Sequence, residues 1–168
     1  MKLFHYTHPG TYLRIAAEGL LPHAKEENYH MTGGIPVVWL TTETSNVATA
    51  QHIAHMTKVT GQADRAPEDL MYGGTARLTV HLDRVGKKLM SYPDFVRRYR
   101  PPVDIERMWP KARRSWWVYL GVIPPHKIEP VSAALMLECL SWHIETHPDP
   151  EARERFRAHY EMLRARAA

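Results

Sequence analysis

Eleven histidines and one cysteine are the residues here that could do acid–base, metal or nucleophilic chemistry. In LFHYTHPGTYLRIAAEGLLPH, His5 and Thr7 stand two apart on the first apolar run. Two-residue spacing puts Leu3, His5 and Thr7 on one face of a strand, with Phe4 and Tyr6 on the other. A neutral imidazole there can bond a ribose hydroxyl, which suits nucleotide binding. The competing reading is a histidine satisfied within its own sheet. The HxxH spacing occurs at His5–His8 and His52–His55, and two histidines one helical turn apart can share a metal. No third ligand follows from spacing, so no metal is expected. Cys139 and His143 are four apart, the helical geometry of a thiol beside a base, but ALMLECLSW around them reads as a core stripe holding an inert cysteine. Trp117 and Tyr119 share one strand face and offer either a stacking floor for a base or ordinary core. Gly33–Gly34 and Gly73–Gly74 precede strands without matching a phosphate-loop or dinucleotide fingerprint.

These residues need elements to hold them. Leu3–Thr7 reads as a strand; Thr7 or His8 opens a helix with Pro9 in its first turn and Gly19 at its C-cap. PVVWLTT reads as a buried strand and Ser45–Val59 as a helix. In Thr75–Leu82, Ala76, Leu78, Val80 and Leu82 alternate with Thr75, Arg77, Thr79 and His81, the pattern of a half-buried strand. Ser91–Tyr99 reads as a short helix stopped by Pro101–Pro102, and RPPVDIERMWPKARR as irregular surface. WWVYLGVI is a strand, VSAALMLECLSWHIE a helix, and PDPEARERFRAHYEMLRARA a charged helix with acids early and arginines late. The order predicts an α+β fold with two C-terminal helices, one domain over 1–168 whose helical extension covers 131–168.

Composition is that of an ordinary globular chain, 44% hydrophobic and 24% charged. No run reaches membrane-spanning length and the N-terminus lacks a signal pattern, so no membrane partner and a cytoplasmic location are expected. The lone cysteine fits a reducing compartment. Between Arg84 and Arg114, ten Lys/Arg stand against Asp94, Asp104 and Glu106, a more basic balance than the whole chain's +4. Such a block, with Arg97, Arg98, Arg100, Lys111, Arg113 and Arg114, suits a phosphate-bearing partner, DNA or RNA, or else a solvated face.

Three segments, taken in order, are similar to one family. LFHYTHPGTYLRIAAEGLLP resembles the opening of ADP-ribosyltransferase-like proteins, where a first strand ending in a His-x-Thr-like motif leads into a helix and an x-G-L exit. PVVWLTT resembles that superfamily's second strand, and WWVYLGVIPPHKI its late strand with an I-P-x-x-x-I exit. The likeness covers about a third of the chain and points to the DNA-modifying toxin and RNA 2′-phosphotransferase branches, hence a toxin or phage-defence role.

The resemblance implies a split β-sheet clasping NAD, used as a substrate, between its halves. His5 would bond a ribose, with Tyr6 and Thr7 holding the nicotinamide side. Thr41 and Thr42 would close the cleft, and Trp117 and Tyr119 would line the base pocket. The phosphotransferase branch adds Arg77 as a phosphate-binding and catalytic group, beside Arg113–Arg114. The chemistry implied is cleavage of the nicotinamide–ribose bond through an oxocarbenium-like state, stabilised in the family by a late-strand glutamate. Here that place falls at Ser115, Trp116 or Trp117, none acidic, and Glu106 lies ten residues upstream. An ADP-ribosyltransferase is therefore weighed against a nucleotide or nucleic-acid binding module without catalysis, and against a protein-interaction or inhibitor domain docking through its last helix. Oligomeric state is left open.

Overall fold

The computed structural model describes residues 1–7, 9–22, 32–43, 76–82, 87–102 and 112–167. His8, His52, His55, Gly73–Gly74, Lys111, Glu106 and the Ser45–Val59 helix lie outside these residues, as does the side chain of Arg113. Five strands form one antiparallel sheet: β1 Lys2–Thr7, β2 Val38–Thr41, β3 Ala76–His81, β4 Leu89–Ser91 and β5 Trp116–Tyr119. Their spatial order is β3-β1-β2-β5-β4. Around the sheet lie α1 Tyr12–Glu18, α2 Tyr92–Tyr99 and two C-terminal helices, α3 Ala133–Thr146 and α4 Pro150–Ala167. The α+β class is as the residue pattern predicts.

Strand alternation sorts the core into two layers. Leu3, Leu78, Val80, Val38 and Leu40 project to one face, where Tyr12 and Ile15 of α1 and Cys139 of α3 cover them. Val37 and Val118 project to the other and meet Tyr92 and Phe95 of α2. Each such buried side chain contributes about 1.5–3 kcal/mol. The alternation read in Ala76–His81 is the observed burial pattern, with Ala76, Leu78 and Val80 fully buried.

Local signals set the ends of the helices. Ser91 caps α2, its Oγ accepting from the Asp94 N–H at 3.3 Å, and Ser132 caps α3 by accepting from the Leu135 N–H at 3.2 Å. Asp149 starts α4 by accepting from the Glu151 N–H at 2.9 Å. Gly19 closes α1 at φ +85°, where a Cβ would sit 2.1 Å from the Ile123 carbonyl oxygen, so only glycine fits. The chain then pairs Leu20 with Ile123.

Three details depart from the residue pattern. Thr7 stays in β1, and the helix opens only after a 3-10 turn, Pro9–Thr11. Leu89–Ser91 is a strand because β5 offers it a partner, Leu89↔Tyr119 to Ser91↔Trp117. Ala112–Ser115 coils into a single helical turn before β5 rather than running irregularly.

Candidate functional site

β1 is held to β3 by six register pairs and to β2 by one, Phe4↔Thr41. Among the described residues this is the join with the fewest register pairs, and side chains span it. Antiparallel partners share a face, so the register sorts the candidates. His5 and Thr7 leave β1 toward the α1–α3 layer, the face that Trp117 and Tyr119 also take through Leu40↔Trp117 and Val38↔Tyr119. Tyr6, Thr41 and Arg77 take the opposite face, with Tyr6 directly across from Arg77. His5 and Arg77, expected in one site, thus project from opposite sides of the sheet.

His5 Nδ1 lies 2.9 Å from the Trp39 carbonyl oxygen. A carbonyl only accepts, so Nδ1 carries the proton and donates, and the neutral ring's Nε2 is its acceptor atom. A ribose hydroxyl would accordingly donate to His5, the reverse of a ring that gives its proton to the sugar. The two threonine hydroxyls of Thr7 and Thr11 are 2.7 Å apart, which ties the end of β1 to the turn before α1.

On the opposite face, the Tyr6 hydroxyl donates to the Glu43 carbonyl at 3.0 Å. Burial pushes the Tyr6 phenol pKa up; the adjoining Arg77, hydrogen-bonded to it, opposes that, and the Glu43 charge adds to it. The Arg77 guanidinium also stands 5.0 Å from the Phe4 ring centroid, a cation–π distance. Thr41, 8% exposed, accepts from the Glu43 N–H at 3.0 Å. Thr42 ends the strand by donating its N–H to the Ser115 carbonyl at 2.9 Å.

Glu43 escaped the residue-level reading because it follows the strand in a polar run with no motif around it. Its charge acts on the Tyr6 phenol, whose hydroxyl bonds the Glu43 carbonyl. Trp39 was equally unforeseen: its carbonyl receives His5, and among the described residues its buried indole N–H meets no acceptor. Trp117 and Tyr119 are partly buried and pack on the core, so the floor they make is also a core wall.

The basic residues lie elsewhere. Arg97 pairs with Asp94 at 3.3 Å, Arg98 stands 5.4 Å from the Tyr99 ring, and Arg100 caps α2 in the left-handed region at φ 48°. Arg114 is exposed on the helical turn whose last carbonyl, that of Ser115, receives Thr42. A surface hollow of about 420 Å³ lies between α3 and α4, lined by Ile144, Pro150, Glu151, Arg153, Glu154 and Arg157, and none of the sites above borders it.

Cys139 is fully buried, and burial raises its thiol pKa. Its neighbour His143 is bonded through Nε2 to the Gly10 carbonyl at 2.9 Å, so the pair is a packing feature. Among the described residues no three His, Cys, Asp or Glu gather to hold a metal, and no helix is long and apolar enough to cross a membrane. No protein-family model, curated protein or solved structure matches the chain.

Proposed function

We propose that the chain is an intracellular NAD-binding protein of ADP-ribosyltransferase-like kind, with the nucleotide held at the β1–β2 seam. The observation that carries this reading is that, among the described residues, a single register pair joins β1 to β2, with His5 and Thr7 along it on the α1–α3 face and Tyr6 and Thr41 on the other. The Trp39 carbonyl on the β2 side accepts from the His5 side chain, a bond that one to a ligand could replace. His5 Nε2 would accept from a ribose hydroxyl on the α1–α3 face, whereas Tyr6 and Arg77 stand on the opposite face and are left out of this pocket. In transfer, the bond between nicotinamide nitrogen and ribose C1′ breaks and its electron pair leaves with nicotinamide. A lone pair on the acceptor then bonds C1′ as the acceptor's proton departs to solvent. The developing cation calls for a nearby negative charge, and Glu43, which stands with Tyr6 on the face opposite His5, does not supply it, so transfer would rest on positioning.

The acceptor we favour is nucleic acid, with Arg98, Arg100 and Arg114 as backbone contacts. A second reading, a nucleotide-binding module that does not turn over, draws on the residues Ser115, Trp116 and Trp117 where the resemblance would require an acid. One experiment separates the two. The purified protein is incubated with NAD and mixed single-stranded DNA and RNA, and products are read by mass spectrometry. Free nicotinamide with an oligonucleotide adduct, both lost in His5→Ala, is the expected result. NAD bound but intact favours the binding module, and absence of binding overturns the proposal.

A further inference from the structure

Gly10 sits in the 3-10 turn between β1 and α1, and it is buried. Among the described residues the glycines with positive φ are Gly19, Gly33, Gly34 and Gly121, so backbone freedom does not explain Gly10. Space does. A Cβ at this position would lie 2.2 Å from Cε3, 2.5 Å from Cδ2 and 2.7 Å from Cζ3 of Trp142. The indole of α3 rests on the turn backbone in the room a side chain would take. The next residue of the same helix, His143, donates from Nε2 to the Gly10 carbonyl at 2.9 Å. Two consecutive residues of α3 thus grip one glycine, by contact and by hydrogen bond.

The grip is backed from behind and connected in front. The His143 ring stacks on Phe156 of α4 at 4.7 Å and 23°, and His147 meets the same Phe156 at 5.6 Å. In front, Thr11 shares its hydroxyl bond with Thr7, and Thr7 lies two residues beyond His5 on the same strand face. Trp142 remains 39% exposed. A large apolar ring left partly in solvent is a poor use of a core-filling residue, so what it does bury, the turn at Gly10, is the better account of its place.

We propose that Trp142 and His143 are positioning residues for the seam: the α3–α4 hairpin clamps Gly10 and so fixes where Thr7 and His5 stand. The proposal rests on the nucleotide reading above, and it makes the C-terminal hairpin the handle by which the site can be loosened.

The test measures hydrogen–deuterium exchange of the full chain together with NAD affinity by calorimetry, for Trp142→Ala and Trp142→Phe. Trp142→Ala is expected to speed exchange in residues 4–13 about tenfold while Trp116–Tyr119 keeps its protection, to weaken NAD binding by a similar factor, and to be largely rescued by Trp142→Phe. Unchanged exchange in 4–13 overturns the clamp, and so does faster exchange with undiminished NAD affinity. If the wild type binds no NAD, the function proposal has failed, and exchange in 4–13 alone then decides for or against the clamp. If Trp142→Ala loses protection at Trp116–Tyr119 too, His143→Phe, which removes the bond to Gly10 and keeps a ring against Phe156, is judged by the same criteria.

Discussion

Among the described residues β1 meets β3 through six register pairs, Lys2↔His81 to Thr7↔Ala76, and meets β2 through one, Phe4↔Thr41. On the β3 side the backbone ladder and the buried side chains of Leu3, Leu78 and Val80 do the joining. On the β2 side, side chains reach across: His5 to the Trp39 carbonyl and Tyr6 to the Glu43 carbonyl. The two joins differ in what can replace them. Ladder bonds and buried leucine surface have no substitute, whereas a side-chain hydrogen bond, worth about 0.5–1.5 kcal/mol net, can be exchanged for one to a ligand. One flank of β1 serves stability, and the other is left adaptable.

Substitutions on the two flanks should break this contrast if it is mistaken. The largest effect is expected from Leu78→Ala, a loss of about 2–5 kcal/mol in denaturant unfolding; a loss under about 1 kcal/mol would deny the β3 flank its structural role. Next comes His5→Ala, costing about 1 kcal/mol of stability but tenfold or more in NAD affinity by titration. Equal stability losses at positions 5 and 78 would erase the difference between the flanks.

Tyr6→Phe removes a hydroxyl bond and should cost about 0.5–1.5 kcal/mol at neutral pH. Its raised phenol pKa adds an alkaline signature. The neutral phenol is favoured in the folded state, so this contribution is complete below the ordinary tyrosine pKa of about 10 and is lost as pH rises through the higher folded value. Comparing thermal unfolding of wild type and Tyr6→Phe between neutral and strongly alkaline pH reads it directly.

The smallest effect lies at the far edge of β3. The Glu129 carboxylate is bonded by His81 Nε2 at 2.5 Å, with Lys2 at 3.7 Å, and its pKa is lowered chiefly by the His81 bond. A lowered folded pKa gives stability that is present above the ordinary carboxylate range and fades as pH falls through the folded value. The group is exposed, so acid titration of Glu129→Gln should differ only slightly from wild type, and only on the acid side. A larger difference near neutrality would point to a role beyond a surface ion pair.

How much of this was legible beforehand depends on whether the cause was local. The alternation in Ala76–His81, the short helix ahead of Pro101–Pro102 and the C-terminal helices were, since periodicity and helix breakers are written in adjacent residues. So was the face shared by His5 and Thr7. Strand neighbours are not local, and residue types do not reveal that β1 keeps one pair with β2, or that Arg77 faces away from His5. Glu43 reaches Tyr6 only through strand register. Pro9 reads as a first-turn residue of a helix, yet the glycine after it answers to an indole more than 130 positions along the chain.

The edges of the sheet carry a last consequence, for association. β4, one margin, is three residues long. At the other, Ile128 bridges Val80 and the Glu129 N–H donates to the Thr79 carbonyl at 2.9 Å, with Lys2, His81 and Glu129 supplying charge beside it. A short margin and a capped, charged one give a stray strand little to extend. The protein can therefore hold an incompletely zipped seam inside its sheet without offering its borders as a template for fibre growth.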